Sequence, residues 1–136
     1  MAGYLKWNVK RLFRYRDRPY PKKEKPVQRY PFSGQLSRVA DMIRASQKPL
    51  LFIGSQAKLH PGNAEELADS VKTLNVPTYV SGTARGLLSK TDLPIFRHMR
   101  KKALKEADMV ILAGVPCDFR LDYGWHLNHR AKTISV

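Results

Sequence analysis

The chain has 136 residues, 43% of them hydrophobic and 10% aromatic, which is enough for one domain with its own core. This composition excludes a disordered or fibrous protein. The single cysteine, Cys117, excludes an internal disulfide, and no apolar run approaches the roughly 20 residues that cross a bilayer. We therefore expect a soluble, intracellular, globular protein.

The net charge of +14 is unevenly distributed along the chain. Residues 1–30 carry ten lysines and arginines against two acidic residues, whereas residues 31–136 carry fifteen against nine. More than half of the excess positive charge therefore lies in an N-terminal arm. We expect a basic helical arm and linker over residues 1–32 and one domain over residues 33–136.

The arm begins with a segment that can form a short amphipathic helix. Its apolar residues at helical spacing are Tyr4, Leu5, Val9, Leu12 and Phe13. Such a helix can lie on an anionic membrane, on nucleic acid or on another domain, or it can belong to a linker whose apolar side packs on other protein. Four prolines within residues 16–32 predict that a linker follows it.

Helical and strand patterns alternate after the linker. Ser33 is a predicted N-cap, and the following helix carries an apolar stripe of Leu36, Val39, Ala40 and Ile43. The apolar run 49–53 predicts a strand covered on both faces. Asn63 and Glu66 form a predicted capping box for the next helix, which ends at Asn75.

The second half of the domain repeats this alternation. We predict a strand over 76–80, a helix from about residue 92 to Ala107, and a strand over 109–113. In this helix Phe96 and Met99 are expected to face inward, and the cations Arg97, Arg100, Lys101 and Lys105 to face outward. Residues 133–136 predict a fourth strand at the end of the chain. The fold class is therefore α/β, a Rossmann-like parallel sheet with helices on both faces. We expect this domain to be incomplete at its C-terminus.

Glycine follows three of the predicted strands, at Gly54, Gly82 and Gly114. The carboxyl ends of strands in an open parallel sheet form the ligand crevice, and glycine allows the backbone to approach a ligand closely. The pattern predicts a nucleotide-type pocket at this edge of the sheet.

Residues 54–57, 76–88, 107–114 and 117–124 resemble the central domain of thiamine-diphosphate-dependent enzymes. Within that family the chain is most similar to the animal acetolactate synthase-like proteins, also described as 2-hydroxyacyl-CoA lyases. The resemblance covers about residues 34–136. It implies a Rossmann-like layer that is structural and, in some members, holds FAD or the adenosine diphosphate moiety of a ligand such as coenzyme A.

The same resemblance implies a parent enzyme that cleaves or forms a carbon–carbon bond next to a carbonyl, using thiamine diphosphate and Mg²⁺. The family's activating glutamate lies in a preceding pyrimidine domain, and its Gly-Asp-Gly metal motif lies in a following diphosphate domain. Neither is in this chain, so we expect no catalytic residue, no metal ligand and no thiamine diphosphate bound by this segment alone. The implied partners are those two domains in a homo-oligomer, and the implied location is the endoplasmic reticulum membrane.

The loops after the strands contain the candidate residues of a nucleotide or coenzyme A crevice. These residues are Gly54, Ser55, Gln56, Gly82, Thr83, Arg85, Gly114, Asp118 and Arg120. The Arg85 fork can grip a phosphate or carboxylate, or it can form a salt bridge between domains or subunits. Asp118 and Arg120 can reach into the crevice or pair with each other.

Two further chemistries are weakly indicated. Cys117 could act as a nucleophile with His126 or His129 as its base, and the two histidines could belong to a zinc site. We favour a packed cysteine and a surface pair of histidines over both of these sites.

The alternative function is a stand-alone anion- or nucleic-acid-binding module that uses the basic arm. Because the arm follows no known RNA-binding spacing, we favour the enzyme segment and expect no nucleic acid partner.

Overall fold

The computed structural model describes residues 2–14, 30–58, 64–88 and 95–136, which belong to two compact units, Met1–Pro31 and Phe32–Val136. The first unit contains α1 (Ala2–Phe13), as predicted. Most of the predicted linker, Asn63 of the predicted capping box and the predicted start of the third helix lie outside the described residues. Among the described helices, none is both long enough and apolar enough to cross a membrane.

The second unit is built on a parallel sheet of five strands in the order β3-β2-β1-β4-β5. The strands are β1 (Pro49–Ile53), β2 (Thr78–Val80), β3 (Ile95–Phe96), β4 (Met109–Ala113) and β5 (Lys132–Ser135). The helices of this unit are α2 (Ser33–Ala45), α3 (Ala64–Leu74) and α4 (Arg100–Glu106). The predicted Rossmann-like α/β fold is confirmed.

The central strands are buried on both faces, which explains why their sequences are continuous apolar runs. Leu50 and Phe52 point to one face, where they join a core cluster with Leu104 of α4. Leu51 and Ile53 point to the other face and join a cluster with Val71 of α3. Helices therefore cover the sheet on both sides, and β1 and β4 form its centre.

The predicted helix from about residue 92 to 107 is wrong in its first half. Ile95 and Phe96 form β3 and pair in register with Thr78 and Tyr79 of β2. Met99 follows with a left-handed backbone (φ +59°), and α4 begins only at Arg100. Because Phe96 and Met99 precede the helix, they are not on its inward face, and both side chains are exposed.

The start of α2 is also shifted from its predicted position. Phe32 occupies the N-cap that we predicted for Ser33, and the Gln35 side-chain oxygen accepts the Phe32 backbone N–H at 3.2 Å. Leu36 of the predicted apolar stripe is exposed, whereas Ile43 packs against the core. The helix thus makes its main apolar contact near its C-terminal end.

The second strand is shorter than predicted, since β2 begins at Thr78 and not at Val76. Pro77 lies just before it and has no N–H to donate, but its carbonyl accepts the Leu51 N–H at 2.9 Å. The preceding helix ends as predicted, with Asn75 in a left-handed conformation (φ +48°).

The carboxylate of Asp108 holds the start of β1 beside the start of β4. Asp108 accepts the backbone N–H groups of Gln47 at 2.8 Å and Lys48 at 3.0 Å, and it accepts the Ser46 hydroxyl. The hydrogen bond from Ser46, followed by that from Gln47, lowers the pKa of Asp108 below its ordinary value. This contact aligns the two central strands whose opposite ends form the candidate site.

Candidate functional site

The loops that follow β1, β2 and β4 meet at the carboxyl edge of the sheet. The Gly54 N–H donates to the Ala113 carbonyl at 2.8 Å, and the Gln56 N–H donates to the Gly114 carbonyl at 3.1 Å. On the other side, the Ser81 N–H donates to the Ile53 carbonyl at 2.9 Å. These bonds bring the three loops to one edge, as the sequence predicted.

The glycines in these loops allow the loops to pack against one another. A Cβ on Gly54 would collide with the Gly114 carbonyl, and a Cβ on Gly114 (φ +59°) would collide with the Ala57 amide. A Cβ on Gly82 (φ +57°) would likewise collide with the Ser55 hydroxyl. The protein's own neighbouring loops therefore occupy the space beside these three α-carbons.

Ser55 links two of the loops through its side chain. Its hydroxyl oxygen accepts the Thr83 N–H at 3.2 Å, which ties the 3₁₀ turn Ser55–Lys58 to the 3₁₀ turn Gly82–Gly86. Six of the nine candidate residues are thus brought together at this loop junction. They are Gly54, Ser55, Gln56, Gly82, Thr83 and Gly114.

Asp118 and Arg120 pair with each other. The Asp118 carboxylate accepts the Arg120 backbone N–H at 2.9 Å and forms an ion pair with the Arg120 guanidinium. That guanidinium also lies 4.8 Å from the centre of the Phe119 ring. Of the two arrangements predicted for these residues, the structure has the one in which they pair with each other. We call this ion pair the Asp118–Arg120 brace.

The brace belongs to a loop that is anchored in the core and bent sharply. Leu121 is fully buried in the cluster that includes Phe52, whereas Phe119 is exposed. Asp122 and Tyr123 both adopt left-handed backbone conformations, with φ of +51° and +50°. Two successive left-handed residues other than glycine are uncommon, and the buried Leu121 is the apolar anchor of this turn.

Arg85 lines a cavity of about 550 Å³ beside β2, β3 and the start of α4. Three further cationic side chains line this cavity, namely Arg97, Arg100 and Lys101. Within the described ranges, no acidic residue lines the cavity, and Arg85, Arg97 and Lys101 form no ion pair. Among the described residues their positive charge thus has no acidic partner at the cavity, a condition that attracts anions.

Arg100 and Tyr79 form an ordered wall of the cavity. Arg100 donates from Nη2 to the Arg120 carbonyl at 3.0 Å, and its guanidinium lies 5.0 Å from the centre of the Phe52 ring. The Tyr79 hydroxyl donates to the His98 carbonyl at 2.8 Å, and burial raises the pKa of Tyr79. The Phe96 ring lies 5.9 Å from the Tyr79 ring.

Sequence reasoning missed Arg97, Arg100 and Lys101 as site residues because it assigned them to the solvent side of a longer helix. The available signal was the density of cations, four within residues 97–102, directly after a short apolar pair. Cations that follow a strand lie at the carboxyl edge of the sheet, where ligands bind.

The described residues do not fit a magnesium–diphosphate centre. Across those ranges, no group of three or more histidine, cysteine, aspartate or glutamate side chains could hold a metal ion. Cys117 is exposed, so the prediction of a packed cysteine is wrong. His129 contacts the Trp125 ring edge-on at a centroid distance of 5.7 Å. His126 has a buried Nδ1 that finds no hydrogen-bond partner among the described residues, and those residues form no metal cluster around it.

The parallel sheet, with helices on both faces and three loops joined at its carboxyl edge, defines a Rossmann-like α/β domain. Comparison with known families makes this assignment more specific. The family model for the thiamine pyrophosphate enzyme central domain matches residues 36–136. The chain therefore belongs to the family of thiamine pyrophosphate enzyme central domains.

Curated relatives agree with this assignment. The chain is 44% identical over 102 residues to human 2-hydroxyacyl-CoA lyase 2 and 42% identical over 102 residues to the protein of that name from Danio rerio. In both cases 75% of this chain and 16% of the relative are aligned. It is 34% identical over 108 residues to the acetolactate synthase large subunit IlvG of Mycobacterium tuberculosis, which covers 79% of this chain and 19% of that protein.

The chain thus spans less than one fifth of the length of the curated relatives it matches. The matched region includes the sheet, the loop junction and the cavity, and it excludes α1. These findings favour the enzyme segment over a stand-alone nucleic-acid-binding module.

Proposed function

We propose that this chain is the central-domain segment of a thiamine-diphosphate-dependent 2-hydroxyacyl-CoA lyase or acetolactate synthase-like enzyme. Such an enzyme breaks or forms a carbon–carbon bond next to a carbonyl. The observation that carries the proposal is the family match over residues 36–136, together with 42–44% identity to two vertebrate 2-hydroxyacyl-CoA lyases. The tight loop junction supports a structural role for the segment.

In this proposal the segment does not perform the chemistry alone. Pyrimidine and diphosphate domains of the same enzyme would hold thiamine diphosphate and Mg²⁺, and the complete enzyme would be a homo-oligomer. Thiamine diphosphate, when bound, supplies the means of stabilising a carbanion next to the carbonyl. By the same resemblance, the complete enzyme would be associated with the endoplasmic reticulum membrane.

We further propose that the carboxyl edge binds the phosphate groups of a nucleotide-containing ligand, either coenzyme A or the adenosine diphosphate portion of FAD. The support is the positive charge of Arg85, Arg97 and Lys101 around the cavity, which no acidic residue of the described ranges accompanies. Guanidinium groups bind phosphate through paired hydrogen bonds, and an ammonium group adds a point charge. Gly86, next to Arg85, has no atom within 4 Å of the position that a Cβ would take.

A domain exchange tests the enzymatic role. The corresponding region of Danio rerio 2-hydroxyacyl-CoA lyase 2 is replaced by residues 36–136 of this chain, and lyase activity is measured with and without thiamine diphosphate. We expect the exchanged enzyme to keep its activity within about tenfold, which corresponds to a change of no more than about 1.4 kcal/mol in the activation free energy. The activity must disappear when thiamine diphosphate is omitted.

Two controls make the exchange decisive. The recipient with the region deleted should be inactive, and the 136-residue chain alone should show no lyase activity with thiamine diphosphate and Mg²⁺. An exchanged enzyme with the size and circular dichroism of the recipient, but without activity, would contradict the proposed role. Turnover by the 136-residue chain alone would contradict its dependence on other domains.

A further inference from the structure

The helix α1 is not explained by the proposed function. It lies outside the region that the family model matches, and it belongs to a compact unit of its own. All of its described side chains are exposed, including Trp7 at 57%, Val9 at 48% and Phe13 at 66%. Large apolar side chains in this position indicate an interaction surface.

The charges of α1 all have the same sign. The segment from Met1 to Arg16 contains no aspartate or glutamate, and Lys6, Lys10, Arg11 and Arg14 are all exposed. Lys6, Lys10 and Arg14 are spaced four residues apart, so they form one row along the helix. Like charges at this spacing destabilise a free helix, and an anionic surface removes that repulsion.

An apolar row runs beside the cationic row. Val9 and Phe13 are also four residues apart and lie on the neighbouring line of the helix surface. The Arg11 guanidinium lies 5.4 Å from the centre of the Trp7 ring, and this pair is on the side of the cationic row away from Val9 and Phe13. Adjacent cationic and apolar rows are typical of helices that lie in a membrane interface.

We propose that α1 is an interfacial helix that binds the surface of anionic phospholipid membranes. Lys6, Lys10 and Arg14 contact phosphate and carboxylate headgroups, while Val9 and Phe13 enter the boundary with the acyl chains. Nucleic acid would satisfy the cations but would leave the apolar row in water, which is why the lipid surface is favoured. This proposal does not depend on the enzymatic role or on the cavity.

Vesicle co-sedimentation of the full 136-residue chain tests the proposal. We expect binding to vesicles of phosphatidylcholine with about 30% phosphatidylserine, little binding to pure phosphatidylcholine, and weaker binding as salt is raised. In a background of Trp7→Phe with Trp125→Phe, the emission of the Phe13→Trp variant should shift to shorter wavelength on binding, because position 13 enters the boundary with the acyl chains. Equal binding to both kinds of vesicle, or none to either, would overturn the proposal.

Matched variants separate the helix from the overall charge of the chain. Lys6→Glu with Lys10→Glu should abolish vesicle binding, whereas Lys48→Glu with Lys132→Glu, an equal change at exposed positions outside α1, should leave most of it. Phe13→Ala should weaken binding about tenfold, because the apolar contact is lost. Equal effects of the two double variants, or no effect of Phe13→Ala, would overturn the proposal. Preference for single-stranded RNA over the vesicles in a competition assay would also contradict it.

Discussion

Gly54 and Gly114 lie side by side at the ends of neighbouring strands, and no side chain fits between them. The Gly54 α-carbon faces the Gly114 carbonyl, and Gly114 itself has a left-handed backbone that lies against the Ala57 amide. This contact joins the loops after β1 and β4 at the point in the sheet where nucleotide-type ligands bind in related architectures. The site is therefore built on backbone packing.

Gly114→Ala should destabilise the domain by about 2 kcal/mol or more, because alanine adds both backbone strain at positive φ and a clash with the Ala57 amide. Urea unfolding followed by circular dichroism measures the loss. Gly86→Ala is the matched control, since nothing lies within 4 Å of its added Cβ. Equal unfolding midpoints for the two variants would show that the loop junction is not close-packed.

Leu121→Ala should destabilise the domain by about 2–5 kcal/mol, because a fully buried leucine leaves a cavity in the core. It should also release the loop after β4, so amide exchange around Tyr123 should accelerate more than exchange in α3. The exposed neighbour provides the control: Phe119→Ala should change stability by no more than about 0.5 kcal/mol. A larger effect of Phe119→Ala than of Leu121→Ala would contradict the assignment of the anchor.

Asp108→Asn should lower the urea midpoint at neutral pH, because the amide replaces an ionised acceptor of three hydrogen bonds. Since the pKa of Asp108 is lowered in the folded state, its contribution to stability is present above the ordinary pKa of 3.8 and is lost as the pH falls through the folded value. The difference between wild type and variant should therefore shrink in acid.

Asp41→Asn is the control for this pH profile, because Asp41 pairs with Arg44 on an exposed helix surface. It should leave the urea midpoint close to that of the wild type at every pH. If the difference in urea midpoint between the wild type and Asp108→Asn stays constant between pH 7 and about pH 2, the charge of the Asp108 carboxylate does not stabilise the fold.

The sequence pattern located β1 and β4 because both strands are buried on two faces, and burial of that kind requires a continuous apolar run. It failed at β3, where two residues are too few to show any period. There Ile95 and Phe96 take strand geometry from their pairing with β2, a tertiary contact that local sequence does not encode.

The candidate site, like the fold, could be predicted only in part from the sequence. The junction of Gly54, Ser55 and Gly82 follows from parallel topology, which places every carboxyl end at one edge. The cavity does not follow, because its cations become neighbours only when the chain turns at Met99 and α4 begins late. The sequence left two arrangements open for Asp118 and Arg120, and only the side-chain geometry shows that they pair with each other.

Equilibrium titration of the 136-residue chain with coenzyme A, with FAD and ADP in parallel, tests the cavity most directly. We predict that coenzyme A or one of the adenine nucleotides binds, that binding weakens as salt is raised, and that Arg97→Ala with Lys101→Ala reduces the affinity at least about tenfold. Lys48→Ala with Lys132→Ala, which removes the same charge from exposed positions outside the cavity, should leave the affinity nearly unchanged. No binding of any of the three ligands, or equal affinities for the two double variants, would contradict a phosphate site in this cavity.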